Sequence, residues 1–198
     1  MDWVPPMWPM PEDLVLTWGE VTLAAARPMD AIELFTALDH DEVWTHVRGR
    51  PASVDQFRST IEMARDQGRW MWVVRSAGQV VGTTSYLDVS VVDARIEIGF
   101  TSYAPSCWGT AVNPTCKYLL MSWAFEEGGF ERVQLKTDIR NLRSQSAISR
   151  LGARQEGILR RYQRRQDGSL RDTVMYSVLA QEWPGVRQGL LDRLRGRD

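Results

Sequence analysis

The chain has 198 residues, 43% hydrophobic and 25% charged, with a formal net charge of −1 and two cysteines. Those values describe one ordinary globular domain with a sizeable core. They exclude a disordered segment, a strongly basic nucleic-acid binder and a disulfide-stapled scaffold.

The first segment, residues 1–13, is expected to be an extended arm, because Pro5, Pro6, Pro9 and Pro11 forbid a helix. It lacks the basic start and apolar run of a secretory signal. No stretch approaches about 18 apolar residues, so a reduced, cytoplasmic protein with no membrane span is expected. Val21 to Arg27 reads as a strand. A helix follows from about Asp30 to Leu38, with Asp30 as N-cap and Glu33 completing a capping box. Ser53 starts a second helix, whose Val54, Phe57, Ile61 and Ala64 share one apolar face. Trp70 to Arg75 is a strand, Ala77-Gly78 a turn, and Gln79 to Leu87 the returning strand of a hairpin. Asp93 to Tyr103 is the next strand.

The best-marked helix comes after it. Asn113 is the expected cap and Pro114 the first helical residue. Cys116, Leu119, Leu120, Trp123 and Ala124 then fall at helical spacing, and Gly128-Gly129 ends the element. Arg132 to Thr137 is a strand and Asn141 to Leu151 a short helix. Arg154 to Gln163 and Leu170 to Leu179 are strands joined at Gln166-Asp-Gly168. A last amphipathic helix begins near Trp183. The alternation predicts an α/β (α+β) domain over 14–181, with a central mixed sheet and helices on both faces. Residues 182–198 are either part of that domain or an appendage.

Chemistry concentrates in Arg95-Ile-Glu-Ile-Gly-Phe-Thr-Ser-Tyr-Ala-Pro-Ser-Cys-Trp-Gly-Thr-Ala-Val-Asn-Pro. This is a strand, a loop of small residues and a helix start. Such a loop lets backbone N–H groups approach a ligand, and a helix N-terminus adds unsatisfied donors and a positive dipole end. Together they can cradle a pyrophosphate. Between Arg140 and Asp172, nine Arg face only Glu156, Asp167 and Asp172, an excess that suits an anionic ligand or a solvated surface. No RNA-binding signature accompanies it.

The order of these elements resembles the GNAT superfamily of N-acetyltransferases, and in detail its RimJ/RimL-type subgroup. Four local matches carry the resemblance: Glu97-Ile-Gly-Phe; Trp108-Gly-Thr; Thr137-Asp-Ile-Arg-Asn-Leu-Arg-Ser144; and Leu151-Gly-Ala-Arg-Gln-Glu-Gly157. The resemblance covers roughly 14–181. It implies direct acetyl transfer from acetyl-CoA to a primary amine, either a protein N-terminus or a small molecule, without a metal. Acetyl-CoA and the amine acceptor are then the partners, with no nucleic acid and no membrane, and a homodimer is left open.

The resemblance also assigns roles. Phe100 and Thr101 would lend backbone groups to the pantetheine arm, lying against it like an added strand. Trp108, Gly109, Thr110, Ala111 and Asn113 would hold the pyrophosphate through backbone N–H. Asn141 would bond the cofactor arm near the thioester, and Arg143 and Ser144 would lie over the cofactor. The chain departs from the pattern at Ala111 and Asn113, where the family usually has Gly and Gly or Ala. It departs again at Ile148, where many members carry the Tyr that protonates the leaving thiolate. Ser144 or a water is left as that acid. These departures motivate the alternative of a non-catalytic acyl-CoA-binding protein. Glu97 is the candidate base, since a carboxylate with a pKa raised by burial can take the ammonium proton from the acceptor. A salt bridge to a nearby Arg is the other reading of Glu97.

Overall fold

The run Trp70-Met-Trp-Val-Val is apolar at every position, which a strand tolerates only when both its faces are covered. In the computed structural model, which describes residues 3–196, this run forms β3 (Trp70–Ser76). Residues 1, 2, 197 and 198 of the expected arm and final segment lie outside the described residues. The other strands are β1 (Val15–Trp18), β2 (Val21–Ala25), β4 (Gln79–Ser90), β5 (Arg95–Tyr103), β6 (Arg132–Asp138), β7 (Arg154–Arg164) and β8 (Leu170–Leu179). The helices are α1 (Ala31–Leu38), α2 (Asp41–Trp44), α3 (Val54–Ala64), α4 (Val112–Ser122), α5 (Leu142–Ser149) and α6 (Trp183–Arg195).

The strands form one sheet in the order β1-β2-β3-β4-β5-β6-β8-β7. Every neighbouring pair is antiparallel except β5 with β6. This is the central mixed sheet with helices on both faces that the element order implied, and the mostly antiparallel pairing that the GNAT resemblance implied. Alternate side chains of β3 serve the two faces. Trp70, Trp72 and Val74 join a large cluster with Leu120, Trp123 and the α6 residues Leu190, Leu191 and Leu194. Met71 and Val73 join a second cluster with Leu34, Leu38, Phe57 and Ile61 of α1 and α3. The described part of the N-terminal arm docks on the first cluster. Trp8 meets Trp70, Tyr86 and Phe130 edge-on, Met10 is buried, and Met7 N–H donates to the Gly128 carbonyl at 2.9 Å.

Four details differ from expectation. The short elements β1 and α2 had no periodic signal. Asp30 closes no capping box with Glu33; its carboxylate accepts the Arg27 N–H at 2.7 Å and pairs with Arg75 at 2.7 Å. Asn113 and Pro114 are not the cap and first residue of α4. The helix begins at Val112 because the Thr110 hydroxyl accepts the Val112 N–H and Thr115 N–H reaches the Ala111 carbonyl at 3.0 Å. Pro114 still fits, since N–H groups of a first turn have no intrahelical partner to lose. Finally, Trp123–Glu127 continues α4 as a π-helical turn before the chain leaves at Gly128.

Candidate active site

β5 and β6 pair for three residues only: Arg95 with Arg132, Ile96 with Val133, Glu97 with Gln134. Both strands then continue, β5 to Tyr103 and β6 to Asp138, without further pairing. The sheet therefore forks beyond Glu97. The cause lies in the β4–β5 register. Thr83 pairs with Ser102 and Ser85 with Gly99, so Thr84 alone opposes both Phe100 and Thr101. That extra residue is a bulge, which bends its strand. Phe100 adopts φ +47°, a strained conformation for a bulky residue, and its ring is exposed. Gly82 is required beside the bulge, because a Cβ there would meet the Ser102 carbonyl oxygen at 2.3 Å.

On the α4 side of the bulge, the Thr101 hydroxyl lies 2.8 Å from that of Thr84 and accepts from the Lys117 ammonium at 2.9 Å. On the other side, the Arg69 guanidinium stacks over the Phe100 ring at 4.8 Å, and its Nε is buried without a hydrogen-bond partner among the described residues.

The small-residue loop follows β5. A 3-10 turn covers Pro105–Cys107, and Gly109 takes φ +78°. The Trp108 N–H donates to the Pro105 carbonyl at 3.0 Å and the Thr110 N–H to that of Cys107 at 3.4 Å. Two donors expected to face a phosphate are thus bonded within the loop. The Trp108 indole donates to the Tyr103 carbonyl at 3.0 Å, and the Arg143 guanidinium stacks on its ring at 3.5 Å. That stack places α5 against the loop. Asn141 is the N-cap of α5 and accepts the Ser144 N–H at 3.0 Å. Its carboxamide oxygen is engaged, which leaves the Nδ2 group to donate.

The face of β5, β6 and β8 away from α4 is polar. Glu97, Gln134, Lys136, Asp138, Thr173 and Ser177 project from it, as the register requires. Glu97 is 1% exposed and pairs with Lys136 Nζ at 2.8 Å, while Gln134 Nε2 donates to it at 3.2 Å. Burial raises its pKa, and the Lys136 charge and the two hydrogen bonds only partly offset this. The partner is a lysine, where the sequence suggested an arginine. Lys136 in turn lies over the Tyr162 ring at 5.5 Å. Asp138 is buried and gripped by both arms of Arg165, at 2.6 and 2.9 Å. Desolvation opposes its charge, but the Arg165 fork outweighs it and holds the carboxyl below its ordinary value. Arg171 is half-buried and donates to the Thr173 hydroxyl at 2.9 Å; burial lowers its pKa, and Asp138, Arg48, Arg165 and Glu97 act on its charge.

The structure brings Glu97, Phe100 and Thr101 to the fork, and Trp108, Gly109, Thr110, Ala111 and Asn113 to the loop and α4 start. Asn141, Arg143 and Ser144 gather at the start of α5. The residues present fit an extended, phosphate-bearing arm: β5 offers an unpaired edge beyond Glu97, leading to a glycine-containing loop. The sequence reading missed Lys117, Gln134, Lys136, Asp138 and Arg165. For Lys117 one signal existed, a charge three and four residues before the buried Leu120 and Met121.

The family model described as an acetyltransferase (GNAT) domain matches residues 20–154. A candidate acetyltransferase from T. thermophilus superposes with a TM-score of 0.86 at 36% identity, covering 95% of this chain and 100% of that one. A GCN5-related N-acetyltransferase from Brucella melitensis gives a TM-score of 0.89 at 26% identity over 98% of this chain and 90% of its own. YdaF of Bacillus subtilis (strain 168), a candidate ribosomal N-acetyltransferase, is 26% identical over 84% of this chain and 95% of its own length.

Proposed function

The chain belongs to the GNAT acetyltransferase family, and on that premise we propose that it transfers acetyl from acetyl-CoA to the nitrogen of a primary amine, with Glu97 as the base. The observation that carries the reading is the position of Glu97: a buried carboxylate with a raised pKa at the last paired step before the fork. Acetyl-CoA supplies the activated acyl group. The unpaired β5 edge at Phe100 and Thr101 binds its arm as an added strand would be bound. The loop from Trp108 to Asn113, apart from the Trp108 and Thr110 N–H groups bonded within it, and the N-terminus of α4 face its phosphates, with Gly109 allowing close approach. Arg143, held over the loop by Trp108, adds charge there, and Asn141 Nδ2 and Ser144 orient the arm from α5.

Glu97 takes the proton of the incoming ammonium, directly or through one water, because an amine attacks only when deprotonated. Lys136 and Gln134 hold the carboxylate in one orientation. The acceptor is a protein N-terminus or a small-molecule amine. The name of YdaF and the RimJ/RimL-like order of motifs favour an N-terminus. No carboxylate among the described residues pairs with Arg69 or Arg171, which favours an acceptor with an anionic group near its amine.

The test is the pH profile of kcat/KM for wild type and Glu97→Gln. Glutamine keeps the shape and the contact with Gln134, so CoA affinity is retained while turnover falls by about 10²–10⁴-fold. The deficit shrinks as pH rises toward the acceptor's own pKa, where more amine arrives deprotonated. Equal rates with parallel profiles would remove Glu97 as base. A purely structural ion pair with Lys136 instead predicts a lower Tm with the rate per folded molecule intact.

A further inference from the structure

Lys117 is a lysine that folding has hidden. It stands on α4, is 4% exposed, and donates a hydrogen bond to the Thr101 hydroxyl at 2.9 Å. No carboxylate among the described residues pairs with it. Burying an ammonium without a counter-charge is costly, so such groups persist where something uses them. Thr101 sits on the β5 bulge at the fork, half-buried, with Thr84 on its other side at 2.8 Å. Thr101 thus joins two buried side chains, Thr84 and Lys117, and is itself the member that reaches the opening. Burial pushes the Lys117 ammonium down to about 8. Among the described residues, the titratable group acting on it is its neighbour Cys116, whose thiol burial pushes up to about 11, and which the buried Tyr103 hydroxyl faces in turn. Cys116 is therefore neutral at working pH and supplies no counter-charge. The position at which many relatives place a tyrosine holds Ile148, a buried side chain that cannot donate a proton.

We infer that Lys117, acting through the Thr101 hydroxyl, supplies the proton that the departing CoA sulfur takes as the acetyl group is transferred. This rests on the acetyltransferase reading above. As the amine's bond to the acyl carbon forms and the carbon–sulfur bond breaks, the bonding pair goes to sulfur, and the nitrogen, whose first proton is already on Glu97, releases its second to solvent water. The Thr101 hydroxyl gives its proton to sulfur and receives one from the Lys117 ammonium. Lys117 is left neutral and regains a proton from solvent. Thr101 is the catalytic group, and Lys117 is a positioning and charge-supplying residue behind it.

The experiment uses CoA itself. Its thiol is titrated by the ultraviolet absorbance of the thiolate, free and bound to wild type, Lys117→Met and Thr101→Val, with CoA affinity and Tm measured on each. In wild type the bound thiol titrates about 1–3 pH units below the free thiol, the scale of an unscreened neighbouring cation. In Lys117→Met it returns toward the free value, and kcat loses the decline expected of wild type as pH rises through about 8. Thr101→Val, which preserves shape, moves both readouts the same way and decides the matter if Lys117→Met does not fold. A bound thiol that titrates identically in wild type and in either folded variant overturns the inference alone. Wild type that binds no CoA overturns the acetyltransferase reading and this inference with it.

Discussion

The two faces of the β5–β6–β8 half of the sheet are built from interleaved residues of the same strands, yet they do opposite things. Toward α4 point Ile96, Ile98, Val133, Leu135, Val174, Tyr176 and Val178, all buried in one apolar cluster. Toward the other side point Glu97, Gln134, Asp138 and Thr173, equally buried, and the partly buried Lys136, held by ion pairs and hydrogen bonds. The apolar face contributes stability through area removed from water. The polar face spends desolvation energy to keep charges at fixed positions. On the β2–β4 half, α1 and α3 cover that second face and it is apolar instead. The uncovered, polar half is where the sheet forks. A domain of this kind thus separates stability from chemistry by strand face.

The largest loss of stability is expected in the aromatic core. Trp72 is fully buried against Trp70 and Tyr86. Trp72→Ala should cost about 3–5 kcal/mol of stability, read as a lower urea midpoint, with kcat per folded molecule nearly unchanged. A comparable fall in kcat would show that the two faces are not separable.

Next comes the polar face. Lys136→Met strips the buried Glu97 of its counter-charge. The expected loss is about 3 kcal/mol at neutral pH, the low end for breaking a buried pair. Because protonated Glu97 needs no partner, the loss should diminish as pH falls. The acid limb of kcat/KM should move to higher pH, since removing the lysine takes away a charge that lowers the Glu97 pKa. A double mutant with Glu97→Gln should recover part of the stability, which a double-mutant cycle measures.

A smaller effect belongs to the rim. Arg132 hydrogen-bonds Glu156, with burial opposing and Ser177 assisting, and together they hold the Glu156 carboxyl at about 2 against an ordinary 4.5. A depressed carboxylate pKa stabilises the fold above the unfolded value and loses that contribution as pH falls toward the folded one. Wild type should therefore lose stability between about pH 4.5 and 2 in excess of Glu156→Gln. With Glu156 partly exposed, the difference at neutral pH should stay within about 1 kcal/mol. Small in stability, but not in binding, is Arg143→Ala. Unstacking Arg143 from Trp108 should change stability by about 0.5–1 kcal/mol while CoA affinity falls by about 1–3 kcal/mol, by calorimetry. A stability loss with unchanged CoA affinity would leave Arg143 as a brace for the loop only.

Much of this was legible along the chain. The doubly apolar run at Trp70, the Ser53 cap that accepts Gln56 N–H at 3.2 Å, and the turn at Gln166-Asp-Gly168 are local signals, because capping, period and turn chemistry act within a few residues. The small-residue loop and the short helix opening at Asn141 are visible for the same reason, and they mark where a ligand-binding site belongs; that Asn141 caps this helix is a finding of the structure. The start of α4 was misplaced because Asn113 and Pro114 are good signals that lost to the Thr110 hydroxyl, a contact two residues long but outside any simple pattern. Other features depend on partners far away in sequence. Glu97 meets Lys136 only after β6 pairs in register, Asp138 meets Arg165 across 27 residues, and Lys117 reaches Thr101 only once α4 lies on the sheet. Local preference set the elements and the family to which they belong. Burial and register, which exist only in the packed molecule, decided which ionisable groups lost their water and so acquired the pKa values on which the chemistry turns.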